Sequence, residues 1–245
     1  MTIFDQINFQ GVALRVKDKD ANITFYQKTL GLTLLREENA LALFGSLKQN
    51  RPLFTLEESP DYRTREARGH KKLAKLMIKV LDPREIESLL AQSIKTEQVF
   101  LGEKGYAFEA RSPQGDLILL HSEDDLAKLS PISHRDYQKQ ADFKGLTDYR
   151  IDGLSLHVTN LENTRSFYQQ LPLRLDLKQS QDQDLSVNPN ETWDLEIIHF
   201  EVAKDYDLNH LAQFFTDKSV DIFLDKKETI LVVSDPSNIE VWFQK

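Results

Sequence analysis

The chain has 245 residues, enough for one large or two medium domains, and its 40% hydrophobic, 29% charged and 9% aromatic content is that of a globular protein rather than a disordered one. A formal charge of -8, from 31 Lys and Arg against 39 Asp and Glu, repels polyanions and argues against a nucleic-acid partner. There is no cysteine, which excludes disulfides, thiolate metal sites and a cysteine nucleophile while leaving the redox compartment open.

The first residues, Met1-Thr2-Ile3-Phe4-Asp5-Gln6, lack a basic region followed by an apolar one. No run approaches the roughly 18 apolar residues of a membrane helix, so a cytoplasmic location without membrane contact is expected. An alternating strand is predicted over residues 11–16. It leads into an amphipathic helix that runs from about Asp20 through Ile23, Tyr26 and Leu30 and stops at Gly31. Three short strands follow, over residues 32–37, 40–44 and 52–57. The basic stretch from Tyr62 to Lys72 reads as a solvated loop, with contact to an anion as the alternative.

The pattern then repeats. A strand over residues 75–80 precedes a helix whose start is explicit: Asp82 can cap, Pro83 suits the first turn, and Glu85 completes a capping box ahead of Ile86, Leu89 and Leu90. Strands follow over residues 98–102, 106–111 and 117–121. The order is therefore βαβββ twice, and two such modules are expected to pair side by side into a curved, half-open sheet with helices on its convex face, an α+β domain spanning residues 1–123. Residues 124–150 are polar and read as a linker carrying some helix.

A second domain of the same kind is expected over residues 151–245. Gly11-Val12-Ala13-Leu14-Arg15-Val16 reappears as Gly153-Leu154-Ser155-Leu156-His157-Val158, and Phe25-Tyr26-Gln27 as Phe167-Tyr168-Gln169, at a constant offset of 142 with 6 of 17 aligned positions identical. This domain reads as abbreviated by one strand, with its second helix over residues 207–215. The Phe-Tyr pairs read as core.

Phe25-Tyr26-x-x-x-Leu30-Gly31-Leu32, Ser112-Pro113-Gln114-Gly115-Asp116 before a strand, and Ser234-Asp235-Pro236-Ser237-Asn238-Ile239-Glu240 in the second half resemble the vicinal oxygen chelate superfamily of glyoxalases, bleomycin-resistance proteins and extradiol dioxygenases. With the two-domain layout and the stretches 25–31 and 35–42, the chain is similar to the CppA family of streptococci. That resemblance implies the family's label, a proteinase degrading a complement component, and with it a surface or extracellular location.

The superfamily resemblance also places metal ligands at the start of each module's first strand and near the end of its last. Those positions hold Gly11, Lys75, Leu119, Gly153 and Ile197 here, with Glu57 and Glu240 as the remaining carboxylates. Glycine, leucine and a cationic lysine are not metal ligands, so no metal and no cofactor are expected. His157, His199 and Glu201 lie further along the same strand faces. A displaced site of His157, His199 and Glu240 would make a metal-dependent lyase or dioxygenase; ordinary hydrogen-bonded histidines are the alternative.

The face that should line the first cup carries Gly11, Ala13 and Arg15, then Lys75, Met77 and Lys79, then Leu119 and His121. Arg15, Lys75, Lys79 and His121 are the candidate ligand-binding residues. Converging cations would hold a carboxylate or phosphate, with His121 adding charge below about pH 6.5. The same side chains could instead pair with Glu57, Glu58 or Glu109 and reach water.

No nucleophile elbow, zincin helix or phosphate loop occurs, although serines and six histidines supply parts for a triad without a motif. The expectation is a metal-free glyoxalase-like binding protein whose partner is a small anion or a protein, with a homodimer compatible. The alternatives are the proteinase of the family label and the metal-dependent enzyme above.

Overall fold

A computed structural model describes residues 3–46, 48, 51–133 and 135–245. The first module is β1 (Ile7–Val16), α1 (Lys19–Lys28), β2 (Thr33–Glu38), β3 (Leu41–Ser46) and β4 (Arg51–Glu58). The second is β5 (Leu73–Val80), α2 (Pro83–Leu90), β6 (Gln98–Gly102), β7 (Gly105–Arg111) and β8 (Leu117–His121). A 3-10 turn (Leu126–Lys128) and β9 (Ser130–Ile132) lead to a third module of β10 (Tyr149–Val158), α3 (Leu161–Tyr168) and β11 (Leu175–Gln179). The fourth is β12 (Leu195–Val202), α4 (Leu208–Asp217), β13 (Ile222–Leu224), β14 (Ile230–Ser234) and β15 (Glu240–Gln244). Among the described residues no helix is long and apolar enough to cross a membrane.

Each helix starts where an Asp or Asn ends the preceding turn and accepts the orphan N–H groups of the first turn: Asp18 from Ala21 N, Asp82 from Arg84 N, Asn160 from Asn163 N and Asp207 from Asn209 N. Glu85 does not close the expected capping box. Its carboxylate instead accepts from the backbone N–H and hydroxyl of Thr147, tying α2 to the segment before β10.

The sheets do not form as expected. The first-half modules do not share a sheet. One sheet has eight strands in the order β13-β14-β15-β12-β1-β4-β3-β2, uniting modules one and four; the other has seven, β11-β10-β5-β8-β7-β6-β9, uniting modules two and three. Within a module the first strand pairs parallel with the last, which leaves its other edge free. That free edge is closed by the first strand of a module from the other half, β1 by β12 and β5 by β10, both antiparallel.

Two crossing connections explain the exchange. Residues 59–72 pass from the eight-stranded to the seven-stranded sheet, and residues 180–194 make the return. They run together through a parallel bridge between Arg65 and Thr192, with Trp193 N donating to Arg65 O at 3.0 Å. The basic stretch from Tyr62 is thus a crossing docked at Thr64, Arg65 and Lys72, while Tyr62, Arg63, Arg68 and His70 remain exposed to solvent as expected. Arg65 meets the buried Asp184, and Asp194 accepts the backbone N–H groups of Lys72, Leu73 and Leu195. The anions it contacts are the protein's own carboxylates.

The third module is shorter than expected. It lacks two strands rather than one, for β11 pairs directly with β10 and ends the sheet. Tyr26 and Tyr168 of the two Phe-Tyr pairs are buried. Tyr26 packs 4.5 Å from Phe54 and 5.7 Å from Phe44 between ring centroids, while the Tyr168 hydroxyl donates to Asp235 at 2.9 Å.

Candidate functional site

Each sheet turns one face to its helices and leaves the other open, and side-chain alternation decides what lines the open faces. On the eight-stranded sheet these are Gly11, Ala13 and Arg15 of β1, Glu57 of β4, Ile197 and His199 of β12, and Trp242 of β15. Most of them border a cavity of about 260 Å³. Gly11 serves backbone approach, since a Cβ there would lie 1.8 Å from Leu53 O.

Arg15 holds Glu57 at 3.1 Å and also pairs with Glu196, while the other Glu196 oxygen is buried without a partner. Burial pushes the Glu196 carboxyl up to about 7 against the opposing pull of Arg15. Glu240 accepts from the Trp242 indole at 2.7 Å.

These residues do not fit a metal ion. Among the described residues no group of three or more His, Asp or Glu is placed to hold one, and a guanidinium already occupies the carboxylates of this face. The displaced set fails on topology: His157 stands on β10 of the seven-stranded sheet, whereas His199 and Glu240 belong to the eight-stranded one. His157 Nδ1 donates to Lys71 O at 2.8 Å, its ring 4.3 Å from that of His70.

The open face of the seven-stranded sheet carries a cavity of about 360 Å³. Met77, Ala107 and Leu119 form its apolar floor with Phe100. Leu126 and Leu129, from the segment after β8, fold back onto that floor. Asp124, held down to about 2 by Lys104 and Lys79, ties this segment across the face, and Glu123 accepts Lys104 N at 2.6 Å. Around the rim stand Lys75 paired with Glu109, Arg174 paired with Asp152 at 3.2 Å, Ser155 donating to Asp176 at 2.8 Å, and Lys178. Among the described residues Lys178 makes no ion pair.

Lys75, Lys79 and His121 therefore share a face, but Arg15 lies on the other sheet and does not join them. Lys79 is almost buried and committed to Asp124. His121 is wholly buried, with neither ring nitrogen hydrogen-bonded and Asp152 3.6 Å away. Burial, with Lys79 and Arg174 adding, pushes it down to about 4, so it stays neutral at pH 6.5 and does not supply the expected cation.

Arg174, Lys178, Ser155 and Asp176 were not among the sequence candidates. Their signal was the alternation Arg174-x-Asp176-x-Lys178 beside Ser155, legible only once β11 and β10 are placed next to β5. A Ser-His-Asp contact does occur at Ser180, His70 and Asp182. Both partners meet His70 Nδ1, at 3.2 and 2.6 Å, and Ser180 donates to Asp182 at 2.7 Å. A triad divides serine and carboxylate between the two ring nitrogens, so this contact clasps a loop and relays no proton.

Paired strand-helix-strand modules with open-faced sheets give the glyoxalase-like fold. At TM-scores of 0.60 and 0.64 it matches glyoxalase I from Zea mays (15% identity, 98% of this chain, 92% of that one) and the "putative dioxygenase" from Bacillus subtilis subsp. subtilis str. 168 (11%, 97% and 84%). Identities this low show the fold alone.

Within that class the chain belongs to the CppA family: residues 9–132 match the CppA N-terminal model and residues 146–243 the CppA C-terminal model. The crystal structure of cppA protein from Streptococcus pneumoniae TIGR4 aligns at a TM-score of 0.90 and 35% identity, covering 98% of this chain and 100% of that one. No curated protein matches it.

Proposed function

We propose that this chain is a metal-independent binding protein whose seven-stranded sheet takes a small molecule with an anionic group on an apolar body. The observation that carries this reading is the composition of the 360 Å³ cavity: three cations at its rim, Lys75 paired with Glu109, Arg174 paired with Asp152, and Lys178 without an ion pair among the described residues, over an apolar floor. The cationic rim would orient the anionic group, and burial of the apolar body would supply most of the affinity. Lys178 is the uncommitted cation, and Lys75 can exchange Glu109 for a ligand.

Calorimetric titration with a panel of small amphipathic carboxylates and phosphates tests it. The double variant Lys75→Met/Lys178→Met keeps much of the stem volume, and it should bind a hit between tenfold and about a hundredfold more weakly, the lower figure allowing for the exposure of Lys178. Equal affinity in wild type and double variant would sink the reading.

Proteolysis, the alternative, rests on the label of the resembled family; the Ser180-His70-Asp182 contact, with serine and carboxylate on one ring nitrogen, does not supply a triad for it. If that were a working site, Ser180→Ala would abolish cleavage of a complement substrate by repurified protein. We expect no Ser180-dependent cleavage.

A further inference from the structure

We infer that β11 is the pairing edge for a second copy of this chain. In the first module β3 and β2 continue the sheet beyond β4, whereas among the described residues no strand continues it beyond β11. The ladder to β10 shows which backbone groups are spent. Leu154 N donates to Arg174 O at 3.0 Å and Ser180 N to Val158 O at 2.9 Å, so the even residues 174–180 point their N–H and C=O groups inward. Those of Leu175, Leu177 and Gln179 point outward, ready for another strand.

The side chains select the partner. Arg174, Asp176 and Lys178 lie along the cavity side, and Leu173, Leu175 and Leu177 border a groove beside α3. An antiparallel two-fold centred on Leu177 sets that residue against its own copy, Leu175 against Gln179, and Asp176 against Lys178 twice. Opposite charges meet across the strands on one face, and Leu177 meets its own copy on the other. A parallel arrangement would put Asp176 beside Asp176 and Lys178 beside Lys178.

The β13 edge of the other sheet is unsuited to the same pairing. A two-fold about Phe223 would set Asp221 opposite Asp225, two carboxylates. Pairing through β11 would place both cavities on one side of a continuous sheet, with Lys178 of each copy at the other's rim. It stands apart from the binding proposal, since dimerisation is measured without ligand.

Sedimentation over a wide concentration range should show a reversible approach to twice 28.4 kDa. Lys178→Glu opposes carboxylates at two places and should weaken dimerisation about tenfold or more, while Asp176→Lys/Lys178→Glu should restore it. Because the chain has no cysteine, Leu177→Cys offers a positional check. Directly opposed residues of a hydrogen-bonded pair are close enough for a disulfide, so oxidised glutathione should crosslink Leu177→Cys but not Phe223→Cys. A monomer at every concentration, dimerisation unchanged by Lys178→Glu, or no preference for crosslinking at 177 overturns the inference.

Discussion

Gly11 and Gly153, related by the repeat offset of 142, do the same steric job in both halves. A Cβ at Gly11 would lie 1.8 Å from Leu53 O and one at Gly153 2.6 Å from Arg174 O, so each lets a parallel strand close against the first strand of its module. Gly11→Ala must push β1 and β4 apart. It should cost about 3 kcal/mol, seen as a lower urea midpoint, with Gly153→Ala milder.

Two buried groups give opposing pH signatures. His121 is depressed from its ordinary 6.5 to about 4, so its contribution is present above pH 6.5 and lost as pH falls through 4, an effect of about 3 kcal/mol at most. Glu196 is raised to about 7, so its contribution is present below about pH 4.5 and lost as pH rises through 7. Melting curves between pH 4.5 and 6.5 should separate them. His121→Leu should leave stability that falls with rising pH, and Glu196→Gln stability that rises.

At the scale of elements, the polar segment between the halves is docked at both ends. β9 pairs with β6, Leu146 is buried with its N–H donating to Gly31 O at 2.8 Å, and Tyr149 opens β10 in the core. Arg135 and Lys139 are exposed between these anchors in chain without helix or strand. Limited trypsin treatment should therefore cut there first, within the 124–150 segment named from composition. The nicked halves should still co-elute, because each sheet takes strands from both; separation on size exclusion under native conditions would contradict the topology.

For the whole molecule, the exchange of modules means that a half-chain cannot complete either sheet. Residues 1–132 alone would expose the edges of β1 and β5, and residues 146–245 those of β10 and β12. Each fragment should be unfolded or aggregated by circular dichroism and light scattering, while the two refolded together should recover a native melting transition. Independent folding of either fragment would show that the seams between β1 and β12 and between β5 and β10 are dispensable.

Features that depend on neighbours along the chain were legible from the residues alone. Alternation at 11–16 and 153–158 set the strands, Asp82-Pro83 set a helix start, and the offset of 142 revealed the repeat, because pleat, capping and turn chemistry act over a few residues. The family was legible for the same reason, being carried by short motifs at fixed spacing. Which first strands pair was legible only in the folded chain, since β5, β10 and β12 all offer β1 a compatible free edge and alternation does not tell them apart. The site followed from that choice: it removed Arg15 from Lys75, brought Arg174 and Lys178 to it, and buried His121, whose charge state depends on desolvation that no local pattern encodes.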